Sequence, residues 1–343
     1  MQCLKLDLFQ YICYANVQLR PNFLKYIMRL VVNIPAWNEE KTIANVIQKI
    51  PRHIEGISEV KVQVVDDGSS DKTVEVSKNA GADFVVSHIR NMGVGAAFKT
   101  GIESALQNGA DIMVNIDADG QFPVNDIPKF TQLIVSGKAD MVVASRFGIK
   151  SAKNMPWIKS FLNRFAANII GKFLRHPIDD LTCGFRALSR ETMLRLNLAY
   201  RFTYTQETII DAISKNLVVK WIPVEVTYFD DRKSKVVKSV GKFVYQSFLI
   251  IIRTVRDARP MVFFGIPGIV FITSSLAIGI AFLGYYFTNF KVSPFRTWLS
   301  LAVILLLVGV QLLVFALIAD MIRNNRKLTE EQMYFLKKEK YKK

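Results

Sequence analysis

Short apolar runs alternate with amphipathic segments over the first two thirds of the chain, and this pattern predicts alternating strands and helices. The predicted strands cover residues 30–35, 61–65, 83–87, 112–116, 140–145 and 218–226. Such alternation is typical of an α/β fold with a mostly parallel, Rossmann-like sheet and helices on both faces. Pro223 interrupts the last run. Because proline cannot donate a hydrogen bond to a neighbouring strand, we expect an edge strand or a bulge there.

The last third of the chain is far more apolar. Residues 261–287 and 298–319 contain no charged side chain. Each stretch exceeds the roughly 20 residues that an α-helix needs to cross a bilayer, so two transmembrane helices are predicted. The segment before them, residues 239–259, alternates basic and apolar side chains at roughly helical spacing. It is therefore predicted to be an amphipathic helix at the membrane surface.

These patterns divide the chain of 343 residues into five parts. The parts are an N-terminal extension at 1–29, an α/β domain at 30–238, a juxtamembrane amphipathic segment at 239–259, two transmembrane helices within 260–322, and a basic tail at 323–343. Most of the mass is thus expected outside the bilayer.

The net charge of +16 is concentrated on both sides of the predicted membrane helices. Residues 232–259 and 323–343 each carry eight Lys or Arg, whereas the connection 288–297 carries only Lys291 and Arg296. Positively charged flanks usually stay in the cytoplasm, so a multi-pass protein of the cell membrane with a cytoplasmic α/β domain and C-terminus is predicted. Basic segments also favour anionic headgroups. No recognised nucleic-acid-binding motif accompanies the charge, so a nucleic-acid partner is not expected.

An acidic cluster follows the apolar run at residues 112–116. Asp117, Asp119 and Gln121 alternate there, which places their side chains on one side if the segment is extended. Carboxylate and carboxamide oxygens suit a hard cation such as Mg²⁺ or Mn²⁺. An ordinary acidic turn is the alternative interpretation. Polar residues also follow the other predicted strands, at 35–39, 66–67 and 145–146, which favours a binding site at one edge of the sheet.

Three segments of the chain together resemble the family 2 glycosyltransferases of the GT-A fold. They are Pro35-Ala36-Trp37-Asn38-Glu39-Glu40, Asp66-Asp67-Gly68-Ser69-Ser70-Asp71 and Asp117-Ala118-Asp119-Gly120-Gln121. Within that family the chain looks most like the polyprenyl-phosphate sugar transferases, such as the dolichyl-phosphate mannose and glucose synthases. The segments that match this subgroup are Ser145-Arg146-Phe147, Asn163-Arg164 and Asp180-Leu181-Thr182-Cys183-Gly184-Phe185-Arg186.

The resemblance implies a role for each matching residue. It implies a catalytic role for Asp117, Asp119 and Arg146, metal ligation by Asp119 and Gln121, and binding of the acceptor phosphate by Arg164. The residues implied in donor binding are Pro35, Trp37, Glu39, Asp67, Asp117, Ala118, Asp119, Arg146, Arg232 and Lys235. For Arg186 two readings stay open, an ion pair with Asp180 that braces the domain or a direct catalytic role.

The resemblance implies that the chain transfers a sugar from a GDP- or UDP-linked donor to a dolichyl or undecaprenyl phosphate, with a divalent metal and inversion. A lipid phosphate is largely dianionic at neutral pH and needs no strong base, which agrees with the absence of His from these motifs. Two other functions stay open: a membrane glycosyltransferase acting on another lipid or a growing polysaccharide, and a catalytically inactive membrane scaffold. A dinucleotide-dependent oxidoreductase is disfavoured because the first strand lacks a Gly-x-Gly-x-x-Gly sequence. A homo-oligomer is compatible with the sequence.

Overall fold

A computed structural model describes residues 28–147, 157–197, 204–227, 259–293 and 295–342, together with the pairs 248–249, 252–253 and 256–257. The predicted N-terminal extension and most of the predicted juxtamembrane segment lie outside these residues.

Seven strands form one sheet in the order β3-β2-β1-β4-β6-β5-β7. The strands are β1 (Met28–Ala36), β2 (Ile57–Asp66), β3 (Phe84–Ser87), β4 (Ile112–Asn115), β5 (Met141–Ser145), β6 (Arg186–Ser189) and β7 (Val219–Pro223). All neighbours pair in parallel except β6, which runs antiparallel to both β4 and β5. The mostly parallel α/β sheet predicted from the sequence is therefore confirmed, and β7 lies at an edge with Pro223 as its last residue.

Helices connect the strands and continue beyond the sheet. They are α1 (Ile43–Lys49), α2 (Thr73–Asn79), α3 (Val94–Gln107), α4 (Ile127–Val135), α5 (Trp157–Leu174), α6 (Arg190–Arg195), α7 (Tyr204–Ser214), α8 (Pro260–Phe263), α9 (Gly265–Asn289) and α10 (Arg296–Lys340). A short 3₁₀ turn, Val124–Asp126, precedes α4. The central strands form the core because their residues are almost all apolar, and all four residues of β4 are buried.

The helical pair α8–α9 (Pro260–Asn289) and helix α10 are long and apolar enough to cross a membrane. They approach closely at two glycines. A side chain on Gly309 would lie 2.9 Å from the carbonyl oxygen of Gly268, and one on Gly268 would lie 3.0 Å from the carbonyl oxygen of Gly309. Small residues at such positions let helix backbones pack together in a bilayer.

Helix α10 does not end where its apolar stretch ends. Its 45 residues form one helix, roughly 67 Å long at 1.5 Å per residue, that continues to Lys340. The basic end of this helix packs against the α/β domain. The Tyr334 hydroxyl donates to Glu191 Oε2 at 3.1 Å, and Lys337 Nζ donates to the carbonyl oxygen of Leu196 at 2.7 Å.

Candidate active site

The carboxyl ends of β1, β2 and β4 lie side by side at one end of the strands. Because β1 pairs in parallel with β2 on one side and β4 on the other, the loops after these strands emerge side by side. Ligands of open α/β sheets bind outside such strand ends. The structure thus brings together Pro35, Trp37, Glu39, Asp67, Asp117, Ala118, Asp119 and Gln121. Their individual roles in binding stay predictions.

The loops after β1 and β2 hold each other in place through reciprocal hydrogen bonds. The backbone N–H of Asn38 donates to Ser69 Oγ at 2.9 Å, and the N–H of Ser70 donates to Asn38 Oδ1 at 2.8 Å. Asn38 adopts φ 54, a left-handed conformation that asparagine tolerates better than most residues. Trp37 and Glu39 flank this residue, so their backbone positions are fixed, and 39% of Trp37 is exposed at the rim.

Asp71 also connects the loops after β1 and β2. Its carboxylate accepts hydrogen bonds from the Thr73 hydroxyl at 2.5 Å, the Thr73 N–H at 3.0 Å and the Glu40 N–H at 3.2 Å. Burial by itself would raise the pKa of Asp71, but these hydrogen bonds outweigh it and lower the pKa. Asp71 is therefore a charged structural residue of the rim.

Asp67, predicted to bind the donor, is buried and already has three hydrogen-bond donors. They are His88 Nδ1, the Met92 N–H and the Gly93 N–H, each 2.8 Å from a carboxylate oxygen. His88 Nε2 lies 2.9 Å from Thr100 Oγ1. Asp67 thus fixes the segment that leads into α3, and its contact with a nucleotide stays a prediction. No local pattern marks His88, because its partner Asp67 lies 21 residues away along the chain.

The acidic segment after β4 forms a turn rather than an extension of the strand. Gly120 has φ 72, and the N–H of Gln121 donates to Asp119 Oδ1 at 3.0 Å. The expectation that strand alternation places Asp117, Asp119 and Gln121 on one side is therefore wrong, because β4 ends at Asn115. A side-chain oxygen that accepts from a backbone N–H two residues later is typical of an Asx turn.

Negative charge accumulates at this turn. Asp117 is only partly shielded from solvent, yet its carboxyl is surrounded by protein atoms, and this desolvation raises its pKa to about 7. The charges of Asp119 and Glu39 contribute to this raised pKa, while Arg186 and Arg146 oppose it.

A divalent cation fits this turn. The site offers carboxylate and carboxamide oxygens, the ligands that Mg²⁺ and Mn²⁺ prefer, and the charges of Asp119 and Glu39 act on the Asp117 carboxyl. Within the described ranges, no group of three or more His, Cys, Asp and Glu could hold a metal by itself. A small protein ligand set is usual for Mg²⁺ sites that share the ion with substrate phosphates.

Arg146 lies at the end of β5 and is held by Asp180. Its Nε donates to Asp180 Oδ2 at 2.7 Å, and one terminal nitrogen donates to Asp180 Oδ1 at 2.9 Å. The carboxylate is fully buried and also accepts from Asn163 Nδ2 at 2.8 Å. Burial would raise the pKa of Asp180, but the charge of Arg146 and these hydrogen bonds lower it. The ion pair of Asp180 is therefore with Arg146, and the reading in which Arg186 pairs with Asp180 is not supported.

A row of buried polar side chains crosses four neighbouring strands beneath the site. The row consists of Gln63, Asn33, Asn115 and Arg186, which are register partners on β2, β1, β4 and β6 and have no exposed surface. Gln63 Nε2 donates to Asn33 Oδ1 at 2.8 Å, and Asn33 Nδ2 donates to Asn115 Oδ1 at 2.7 Å. Two buried atoms of the row, Gln63 Oε1 and Arg186 Nε, have no hydrogen-bond partner among the described residues, so the row is only partly satisfied.

The row ends beside Asp117. Asn115 Nδ2 donates to the carbonyl oxygen of Gly184 and to the Tyr204 hydroxyl, both at 3.1 Å. A side chain on Gly184 would lie 3.0 Å from both carboxylate oxygens of Asp117. The loop at residue 184 therefore packs directly on the predicted catalytic carboxylate, and Asn115 holds that loop in position.

Arg186 is a fully buried cation without a hydrogen-bonded carboxylate among the described residues. Its guanidinium donates to the carbonyl oxygens of Thr205 and Cys183 and to the Thr208 hydroxyl, and it lies 5.2 Å from the centre of the Tyr204 ring. Carbonyl dipoles and an aromatic face thus stabilise a charge that would be costly to bury alone. The positive charge of Arg186 opposes the rise in the pKa of Asp117.

Arg164, predicted to hold the acceptor phosphate, is exposed on α5. Its guanidinium carbon lies 4.9 Å from the centre of the Phe147 ring, and Phe147 directly follows Arg146. The two arginines are therefore at the same end of the sheet. Arg232 and Lys235, predicted to bind the donor, lie outside the described residues.

The chain is similar to several known proteins. Residues 31–195 match the family described as Glycosyl transferase family 2. The chain is 33% identical over 215 residues to a UDP-N-acetylglucosamine–dolichyl-phosphate N-acetylglucosaminyltransferase of Methanococcus voltae, covering 57% of this chain and 84% of the relative. It is 28% identical over 309 residues to Glycosyltransferase AglJ of Haloferax volcanii, covering 87% of this chain and 94% of the relative.

A solved structure supports the same fold. The glucosyl-3-phosphoglycerate synthase of Mycobacterium tuberculosis, in complex with Mn²⁺, uridine diphosphate and phosphoglyceric acid, superposes with a TM-score of 0.52. The match covers 70% of this chain and 84% of that one at 21% identity. At this identity the similarity concerns the fold alone.

Proposed function

Because the chain belongs to glycosyl transferase family 2, we propose that it transfers a sugar from a nucleotide-sugar donor to a polyprenyl phosphate at the cytoplasmic face of the cell membrane, with inversion at the anomeric carbon. The main support for this proposal is that one chain contains both the acidic turn at the strand ends and two helices apolar enough to span a membrane. The relative from Methanococcus voltae, which is named for a dolichyl-phosphate acceptor, supports the lipid acceptor.

The donor is held by the loops after β1, β2 and β4. Trp37 and Glu39 lie on the fixed rim and face the nucleoside, while Asp117 and Ala118 lie along the sugar diphosphate. Asp67 shapes this pocket by holding the N–H groups of the segment before α3. Donor binding at strand ends follows from the general rule for open α/β sheets.

Asp119 and Gln121 hold a Mg²⁺ or Mn²⁺ ion at the acidic turn. When bound, such an ion acts as a Lewis acid that offsets charge on the departing nucleoside diphosphate. The carboxylates of Asp119 and Glu39 near Asp117 support this assignment, and the Mn²⁺ and uridine diphosphate bound to the structurally similar synthase agree with it.

The acceptor phosphate is held by arginine. Arg164 is exposed and can present the planar fork that pairs with two phosphate oxygens. Arg146 is held rigidly by Asp180, so its positive charge has a fixed place near both substrates. A phosphate oxygen of the lipid, already largely ionised at neutral pH, attacks the anomeric carbon without a general base.

The test uses the full chain in detergent or nanodiscs. Labelled UDP- and GDP-sugars are supplied with dolichyl or undecaprenyl phosphate and Mg²⁺ or Mn²⁺, and label is followed into the lipid phase. Wild type should transfer one sugar per lipid, and excess chelator should stop the reaction. Asp119→Ala should lower the rate by about 100-fold or more, since Lewis-acid stabilisation contributes several kcal/mol.

Glu59→Ala is the matched control, because it removes a carboxylate near the amino-terminal end of β2, and the site lies at the carboxyl end of that strand. It should transfer at the wild-type rate. A wild-type rate in Asp119→Ala, or full activity in chelator, would overturn the metal assignment. A polymeric product, or preference for a water-soluble acceptor, would overturn the acceptor.

A further inference from the structure

His88 connects three separate elements of the α/β domain. It directly follows β3, its Nδ1 lies 2.8 Å from Asp67 Oδ1 in the loop after β2, and its Nε2 lies 2.9 Å from Thr100 Oγ1 in α3. Its backbone N–H also donates to the carbonyl oxygen of Asp66 at 2.9 Å. Because only 9% of its side chain is exposed, His88 is an interior connection rather than a surface residue.

The two nitrogens of the His88 ring have different roles. Asp67 Oδ1 also accepts from the Met92 N–H, so it acts as an acceptor and His88 Nδ1 donates to it. Nε2 of a neutral imidazole then accepts from the Thr100 hydroxyl. A ring that is bonded at both nitrogens has one orientation, so His88 holds the carboxyl group of Asp67 in a fixed position.

Residues 88–93 pack on the loop after β2, beside Asp67. A side chain on Gly68 would lie 2.5 Å from the carbonyl carbon of Arg90, so the two segments are in contact through their backbones. Met92, whose N–H donates to Asp67, keeps 38% of its surface exposed. An exposed apolar side chain beside a few fixed polar groups is the usual composition of a small-molecule site.

The position of His88 favours an effect on donor binding rather than on the transfer step. In the sheet, β2 and β1 separate β3 from β4, which corresponds to roughly 14 Å at about 4.8 Å per strand. The acidic turn with Asp117 and Asp119 follows β4, whereas His88 follows β3. His88 therefore adjoins the loops assigned to the nucleoside and is remote from the sugar diphosphate.

We propose that His88 is a positioning residue for the nucleotide donor. Through its bonds to Asp67 and Thr100, it holds residues 88–93 against the loop after β2 in the arrangement that receives the nucleoside. His88 acts through Asp67 and Met92 and takes no part in the chemical step. This inference rests on the proposed function and adds a residue to its donor site.

Two substitutions separate the contacts of His88. The side-chain nitrogen of Asn takes the place of Nδ1, so His88→Asn keeps the donor to Asp67 and loses the bond to Thr100. The nitrogen of Gln reaches the place of Nε2, so His88→Gln keeps the bond to Thr100 and loses the donor to Asp67. The matched control is His53→Gln, the same change at an exposed histidine that precedes β2.

Calorimetry on the full chain in detergent, with UDP or GDP and with Mg²⁺ or Mn²⁺, measures donor affinity. His88→Gln should raise the Kd by about tenfold, near the low end for loss of a hydrogen bond to a charged group, because two N–H groups still hold Asp67. His88→Asn should stay within about threefold of wild type, since it loses only a bond between neutral groups. His53→Gln should bind as wild type does.

Transfer assays on the same variants separate binding from chemistry. His88→Gln should raise the KM for the nucleotide sugar by the same factor as the Kd and leave kcat and the KM for the polyprenyl phosphate unchanged. Thr100→Val keeps His88 and its contact with Asp67, so it should behave as His88→Asn does. Denaturant unfolding of each variant ensures that folded molecules are compared.

Several results would overturn the role of His88. They are equal donor affinity in His88→Gln and His53→Gln, equal losses in His88→Gln and His88→Asn, and a loss of about tenfold or more in Thr100→Val. A lower kcat with unchanged donor affinity would also overturn it, and would assign His88 to the transfer step.

The two proposals fail separately, because nucleotide binding is measured without transfer. Nucleotide binding that depends on His88, in a protein that moves no sugar to polyprenyl phosphate, would contradict the proposed function and leave the role of His88 standing. Normal transfer with unchanged donor affinity in His88→Gln would contradict only the role of His88. A wild type that binds neither UDP nor GDP would contradict both.

Discussion

Gly184→Ala is the most direct test of how the site is built, because it adds one methyl group against the predicted catalytic carboxylate. The new Cβ would lie 3.0 Å from both oxygens of Asp117 and 3.1 Å from the Tyr204 hydroxyl, whereas ordinary contacts begin at 3.4 Å. The φ of Gly184 is outside the left-handed region, so alanine adds no backbone strain there. The effect of the substitution is therefore steric.

The size of the effect follows from these distances. Asp117 has to move by a few tenths of an ångström. A 1 Å misplacement in an active site can cost about 10²-fold in rate, so a shift of about 0.4 Å should lower kcat/KM by about sixfold. Overpacking of a tight interior typically costs ~1–3 kcal/mol of folding free energy, and a single methyl group belongs at the lower end.

Two further variants show whether the reasoning is right. Tyr204→Phe removes one of the three contacts, so Gly184→Ala/Tyr204→Phe should recover part of the lost stability, with a favourable coupling of ~0.5–1 kcal/mol. Gly56→Ala is the control, since its Cβ would also meet a neighbour at 3.0 Å, but that neighbour is Val135, away from the site. The control should lose stability at its φ of 79 and keep kcat/KM per folded molecule.

Steady-state kinetics with the nucleotide sugar and lipid phosphate, together with denaturant unfolding, give both quantities. A wild-type kcat/KM in Gly184→Ala would show that Asp117 tolerates displacement. Strict additivity in the double variant would refute the steric explanation.

Two other predictions concern the acceptor and the topology. Arg164→Lys keeps the charge but loses the planar guanidinium fork. The loss of a charge-assisted hydrogen bond of ~1.5–3 kcal/mol should slow transfer by roughly ten- to more than a hundredfold, and calorimetry should find the donor affinity unchanged. Weakened donor binding with intact acceptor kinetics would instead place the residue on the donor side. With Cys3 and Cys13 replaced by serine, an impermeant thiol reagent should label Ser293→Cys from outside the cell and leave Lys340→Cys unlabelled, and the reverse pattern would refute a cytoplasmic active site.

The strands that the sequence predicts well are those with mostly apolar runs. β1 and β2 are read from such runs, and β7 is read as an edge strand from Pro223. β6 escaped prediction because it has only four residues, Arg186–Ser189, and begins with a charged side chain that is fully buried. Its antiparallel direction depends on pairing with strands far away along the chain.

The polar row beneath the site shows why local pattern is insufficient there. Asn33 and Asn115 each interrupt an apolar run and look like isolated exceptions in the sequence. They become partners only through the register between β1 and β4, which no local signal encodes. The same holds for the ion pair between Arg146 and Asp180, which are 34 residues apart and share one loop cluster only in the folded domain.

The basic C-terminal segment shows the limit of reading charge from composition. Its Lys and Arg residues predict a cytoplasmic tail near anionic headgroups. Lys337, however, contacts the α/β domain. Lys337 donates to the carbonyl oxygen of Leu196 and to Asn197 Oδ1 at 2.9 Å, and burial lowers its pKa. Arg190 in turn donates to the carbonyl oxygen of Tyr341, just beyond the end of α10. Because α10 is continuous from its apolar part to these contacts, one helix links the α/β domain to the helical pair that is apolar enough to cross a membrane.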